Sequence, residues 1–237
     1  MFVCAWPTWW LLGRPATYAV VTVVLFVGLV LVVFARLPAG HPGPGIGAAN
    51  RVTLFRAALA LPVLALSVVA LAPHVVDAAG TRAVMADGVA WWVIVVSTIA
   101  MVLDGLDGRV ARRTQTTSDF GARFDMEFDA ALIMALSVLV WVAGKAGPWV
   151  LAIGLMRYVF VAAGFAVPAL TGALPERFRR KVVCVVQGVV LLVALGPIIP
   201  RPMAVGVAAA GLAMLTWSFA VDVVWLLRAG RTTDATG

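Results

Sequence analysis

The chain has 237 residues, of which 63% are hydrophobic and 12% charged, with a formal net charge of +7. So apolar a composition, with a mean hydropathy of +1.04, excludes a soluble domain with a polar surface and implies an integral membrane protein built from helices. The basic excess suits anionic headgroups and phosphates, and nucleic acid is excluded as a partner for so apolar a chain.

Residues 1–36 are predicted as an interfacial segment followed by a transmembrane helix. Trp6, Trp9 and Trp10 suit an interfacial aromatic belt, and 21 uncharged residues separate Arg14 from Arg36. A secretory leader would open on basic residues, so this helix is expected to be retained. The Pro/Gly-dense stretch 37–49 breaks any helix and reads as a linker. Further uncharged windows follow at Ala57–Val76, Gly88–Leu103, Ala130–Gly144, Tyr158–Pro175, Val182–Pro200 and Pro202–Val221. With the first helix they predict seven spans, the last six forming a membrane domain over 50–228, and residues 229–237 are expected to be a disordered tail. If the N-terminus lies outside, thirteen Lys and Arg residues fall on the inner side and four on the outer. That distribution predicts the cytoplasmic membrane as location, with the inner loops facing the cytoplasm. Cys4 and Cys184 lie far apart, and His41 and His74 have no ligand spacing, so neither a disulfide framework nor a zinc site is indicated.

The informative stretch is "LDGLDGRVARRTQTTSDFGARFDMEFDA", residues 103–130. Asp104 and Asp107 are three apart, and Asp125 and Asp129 four apart, so each pair stacks on one face of its helix. The Thr/Ser-rich turn between the helices, where Ser118 or Asp119 is a candidate cap, lets the two faces meet. Four converging carboxylates near a membrane boundary repel one another and lose hydration. A bound cation removes both costs, and hard oxygen ligands without His or Cys point to Mg2+ or Mn2+, with room for two ions at a phosphate-handling site. Gly108 and Gly121 remove side chains beside the carboxylates, which implies that something approaches the backbone there. Arg112, one turn beyond Gly108, offers paired donors to a phosphate. The plainer reading of the aspartates, a solvated helix–loop–helix outside the bilayer, does not account for the glycines. Arg109, Arg113 and Arg123 read as positive-inside residues at helix ends. Glu127 falls off the face shared by Asp125 and Asp129 and, like Asp222, reads as a structural or solvated acid.

Written out, Asp104-x-x-Asp107-Gly108-x-x-Ala111-Arg112, eight residues, Gly121, three residues, Asp125, three residues and Asp129 resembles the motif of the CDP-alcohol phosphotransferase (CDP-alcohol phosphatidyltransferase) family at every fixed position. Asn50, Thr53 and Arg56 recur at helical spacing, which can place them on one face, and Asn50-x-x-Thr53 is similar to the polar start of that family's first core helix. The six expected spans after Leu37 equal the family's six, leaving the helix at 16–36 as an addition. The resemblance implies transfer of a phosphatidyl-type group from a CDP-linked lipid to a small alcohol acceptor with release of CMP. It implies that Asp104, Asp107, Asp125 and Asp129 hold two divalent ions, Mg2+ with Mn2+ as a possibility, and that Asp129 also takes the proton of the attacking hydroxyl. Gly108, Arg112 and Gly121 would face the CDP moiety, with Asn50, Thr53 and Ser118 as further contacts, and a homodimer is expected by the same analogy.

Arg157 lies well inside the fifth span, where an unpaired charge is expensive, so it should face a polar cavity or an acidic partner. Family members with phosphorylated acceptors carry an Arg here and a basic residue at the start of the next helix. Lys181, six residues before Gln187, resembles that second element, although Arg180, Val183 and Cys184 depart from the Gly, Lys and Thr of the Gly-Lys-x-Lys-Thr-x-x-Gln pattern. Arg157 and Lys181 are therefore expected to bind the acceptor, a phosphorylated polyol such as glycerol phosphate or inositol phosphate. Two other functions use intramembrane carboxylates. A Mg-dependent prenyltransferase needs a second, distant acidic motif, and only Asp222 follows Asp129 in the spans. A cation transporter needs charged or broken helices in corresponding halves of the chain, and leaves Gly108 and Gly121 without a reason.

Overall fold

The computed structural model describes residues 2–11, 16–36, 48–71, 86–114, 119–167 and 178–234, and describes side chains for 5–10, 16–31, 55–71, 86–103, 126–167 and 179–228. Among these residues there are eight α-helices and no strand. They are α1 (Phe2–Leu11), α2 (Ala16–Arg36), α3 (Ala48–Ala70), α4 (Asp87–Thr114), α5 (Asp119–Val142), α6 (Leu151–Ala166, entered through a 3₁₀ turn at Pro148–Val150), α7 (Phe178–Leu195) and α8 (Arg201–Asp234). Among the described residues, Pro148–Ala166 and Arg201–Arg228 are long and apolar enough to cross a membrane, and shorter apolar helical stretches lie at Ala16–Leu31, Phe55–Ala70 and Asp87–Leu103. This is compatible with a membrane protein.

α3 and α5 occupy the centre. α3 packs against α2, α4 and α5, while α5 packs against α3, α6 and α7, and α8 closes the far side on α7 and α6. The core is aliphatic, with Val63, Leu66, Leu136, Leu139, Leu191 and Leu195 almost wholly enclosed. α2 lies on α3 by one stripe. Tyr18, 1% exposed, donates from Oη to the Pro62 carbonyl at 3.4 Å, while Val20, Val23, Val24, Val27 and Leu31 on the other side are exposed.

The end of α5 shows how sequence sets a turn. Gly144 takes a positive φ of +69°, its N–H donates to the Trp141 carbonyl at 2.9 Å, and the Lys145 N–H reaches back to Val140 at 3.2 Å. This is the Schellman arrangement, which favours glycine at the left-handed position. The Lys145 ammonium then donates to the carbonyls of Gly196 and Ile199 at 2.8 and 2.6 Å, tying this turn to the α7–α8 connection. α5 and α6 approach closely because Gly154 has no side chain: a Cβ there would lie 2.6 Å from the Met134 Cα.

Helices α2 to α8 each overlap one of the seven expected windows. The residues of the expected interfacial segment form a helix, α1, whose Trp6 and Trp9 rings lie 5.3 Å apart. The uncharged window Tyr158–Pro175 marks only part of the fifth span: helical structure begins at Pro148, which puts Arg157 inside it as expected, and α6 ends at Ala166, short of Pro175, with Val167 extended. Val167 precedes Pro168, and a residue before proline is pushed out of the helical region. The tail is also shorter than expected, since α8 continues past Arg228 to Asp234.

Candidate functional site

The motif residues lie on three helices that pack together. Asn50 and Thr53 are in the first turns of α3, Asp104, Asp107, Gly108 and Arg112 in the last turns of α4, and Gly121, Asp125 and Asp129 in the first half of α5. α3 packs against both α4 and α5. Of these side chains only that of Asp129 is described; the others, and Ser118 altogether, lie outside the described residues.

Asp129 is part-exposed, at 29% of its side chain, and its Oδ1 accepts a hydrogen bond at 2.7 Å from Nη2 of Arg56 on α3. Arg56 is sealed, with 3% of its side chain exposed, and its Nε donates to the Ala100 carbonyl of α4 at 3.3 Å. Beside this pair α4, α5 and α7 leave a small cleft of about 40 Å³ lined by Met101, Leu132, Ile133, Leu136, Cys184 and Gly188, with Asp129 contributing the carboxylate. The cleft wall is tight at Gly188, where a Cβ would lie 2.4 Å from the Met101 methyl.

Arg157 is held elsewhere. Its Nη2 donates to Glu127 Oε1 at 2.5 Å, and its Nε is buried without a hydrogen-bond partner among the described residues. Glu127 precedes Asp129 by two residues, about 200° around the helix, so this ion pair sits on the α6 side of α5, away from the Asp129 face. The acid left as structural or solvated is therefore the partner of Arg157. Lys181 is exposed in the first turn of α7. Near it, Arg179 donates to Asp222 Oδ1 at 2.5 Å and to the Ser218 carbonyl at 3.0 Å, and lies 5.4 Å from the Trp217 ring. Asp222 is thus a structural partner that joins α7 to α8.

Sequence reasoning treated Arg56 as a basic residue on a shared face with Asn50 and Thr53 and did not place it in the site. The signal was its position, nine residues into a helix whose next fourteen residues are uncharged. The chemistry of the donor set fits a divalent cation: Asp129 offers carboxylate oxygen beside an open cleft, and the other three motif residues are also carboxylates, the hard ligands that Mg2+ and Mn2+ take. Among the described residues no three potential ligands meet; the side chains of three of the four aspartates lie outside them.

A family model described as CDP-alcohol phosphatidyltransferase matches residues 46–224. Over 81 residues the chain is 42% identical to a CDP-diacylglycerol–serine O-phosphatidyltransferase of Helicobacter pylori strain 26695, and 41% identical to the protein of that name from strain J99. The matched stretch is 34% of this chain and 28% of each relative. No solved structure gives a significant match.

Proposed function

The chain belongs to the CDP-alcohol phosphatidyltransferase family, and from that premise we propose that it transfers a phosphatidyl-type group from a CDP-linked lipid to an alcohol in phospholipid biosynthesis. The observation that carries the reading is the half-open Asp129 carboxylate at a cleft inside the family-matched region. In the proposed reaction the acceptor oxygen forms a new bond to the lipid-bearing phosphorus, the diphosphate bond breaks, and CMP leaves. Asp129 takes the hydroxyl proton as the acceptor oxygen attacks. Asp104, Asp107, Asp125 and Asp129 would hold two divalent ions, Mg2+ or Mn2+, which when bound neutralise the diphosphate and stabilise the departing CMP. Gly108 and Gly121 leave space for the nucleotide, and Arg112 donates to its phosphates, with Asn50, Thr53 and Ser118 as outer contacts. The concentration of basic residues on one side supports a site facing the cytoplasm from the cytoplasmic membrane.

The resemblance at Arg157 and Lys181 supports a phosphorylated acceptor such as glycerol phosphate or inositol phosphate, whereas the structure pairs Arg157 with Glu127 on the face of α5 turned from Asp129. Glu127, with 58% of its side chain exposed, is a partner that an incoming phosphate can displace from Arg157, since exposed ion pairs are held by little net energy. A second reading, serine as acceptor, is favoured by the names of the two relatives. Purified protein incubated with Mg2+, CDP-diacylglycerol and each of glycerol phosphate, inositol phosphate and serine, with mass spectrometry of the lipid and assay of CMP, separates them. Product with a phosphorylated polyol supports the first reading, product only with serine establishes the second, and no CMP with any acceptor overturns the transferase.

A further inference from the structure

Arg56 is an expensive residue for its place. It sits in the apolar part of α3 with its side chain 3% exposed, where a neutral residue would pack without losing hydration. Its donors do not lie along one helix contact. Nη2 reaches Asp129 on α5 at 2.7 Å, and Nε reaches the Ala100 carbonyl on α4 at 3.3 Å. Ala100 is one turn before Asp104, so one planar guanidinium joins the α4 turn that leads into the first motif aspartate to the α5 turn that carries the last. The fork is rigid: with Nε fixed on a backbone carbonyl, Nη2 has one direction left, and this sets where Oδ1 of Asp129 lies.

A clasp between helices would account for the cost if the carboxylate were enclosed too. It is not, since Asp129 is part-exposed and lines the cleft between α4, α5 and α7. A sealed cation holding an open carboxylate is the arrangement that orients a reacting group while leaving it reachable. We propose that Arg56 is a positioning residue for Asp129, fixing its carboxylate against α4 in the orientation that receives the acceptor's proton. The inference rests on the transferase reading above and adds to it a residue outside the family-like motif.

The test measures turnover per folded molecule, KM for CDP-diacylglycerol and thermal unfolding in detergent for the parent, Arg56→Gln, Arg56→Lys, and Arg56→Gln combined with Asp129→Asn. A misplaced catalytic group costs on the order of 100-fold, so Arg56→Gln is expected to lose roughly that factor in kcat, with KM for the lipid within about threefold. Lys keeps the charge but not the fork, and Arg56→Lys is expected to recover about tenfold of that loss. Combined with Asp129→Asn, Arg56→Gln is expected to cost less than about threefold more, because residues acting as a unit are non-additive. Parent-like kcat in Arg56→Gln, a matching rise in KM for the lipid, or an undiminished loss in the Asp129→Asn background would overturn the proposal. Should Arg56→Gln fail to fold, Arg56→Lys decides: reduced kcat at unchanged KM supports positioning, and parent-like kcat overturns it. Absence of CMP from the parent protein would overturn the transferase reading and this role together, whereas an active parent with an indifferent Arg56 removes only the latter.

Discussion

Among the described residues two arginine–aspartate pairs join neighbouring helices, and they are open in opposite senses. In Arg56–Asp129 the cation is sealed and the acid is open, with 3% and 29% of the side chains exposed. In Arg179–Asp222 the figures are 20% and 10%, and the arginine is further occupied by the Ser218 carbonyl and the Trp217 ring. Removing either partner of a buried pair leaves an uncompensated charge, so both pairs hold helices together. Only the first holds its carboxylate at a cleft. A buried ion pair becomes part of a site when its acid faces a cleft, and remains a clasp when its acid is enclosed.

The sharpest way to break the comparison is to remove one charge from each pair. Asp129→Asn keeps the shape but cannot accept a proton, and general-base loss amounts to about 10³-fold. Turnover is expected to fall by that order while CDP-lipid binding, measured by ligand-induced thermal shift, stays within a few-fold. Parent-like turnover would remove Asp129 from the chemistry. For the clasp, Arg179→Gln strands Asp222 at a cost of about 3 kcal/mol. Unfolding in detergent should shift down by several degrees, with turnover per folded molecule within about threefold of the parent. A loss of turnover without a loss of stability would put Arg179 in the site. Next in size, Gly154→Leu must push Met134 away and is expected to destabilise the α5–α6 contact by about 2 kcal/mol, whereas Gly28, with nothing within 4 Å of its Cβ position, should accept Ala without measurable change. Equal effects at the two glycines would contradict the packing described. The smallest effect sharpens the role of the third pair. Glu127→Gln releases Arg157, so KM for a phosphorylated acceptor should fall about two- to threefold, because an exposed pair holds by under about 1 kcal/mol. A rise would show that Glu127 itself contacts the acceptor.

Much of the fold was legible because helices in so apolar a chain show as uncharged runs. The runs failed at Arg56, Asp129 and Arg157, each of which cut an expected window short although the helix continues through it. Hydropathy counts a charge as an exit from the apolar layer, and it cannot see that the charge is paired across to another helix. The structure pairs all three, Arg56 with Asp129 and Arg157 with Glu127. The aspartate motif was readable by spacing alone, since helical period places residues three and four apart on one face. Arg56 was not, because its role depends on the α3–α4–α5 packing that brings residues 44 and 73 positions away within reach. Glu127 was assigned to the correct face and left without a partner there, because which helix covers that face is a property of the fold.

The central claim, that this aspartate-bearing helix pair performs a metal-dependent phosphatidyl transfer, is tested most directly by CMP release from CDP-diacylglycerol by the purified protein, stripped with EDTA and titrated with Mg2+, in the presence of the acceptor panel. The account predicts no CMP in the stripped protein, saturable recovery as Mg2+ is added, and a folded, monodisperse protein throughout. CMP release at full rate without a divalent ion, or none at any Mg2+ or Mn2+ concentration from folded protein, would contradict it.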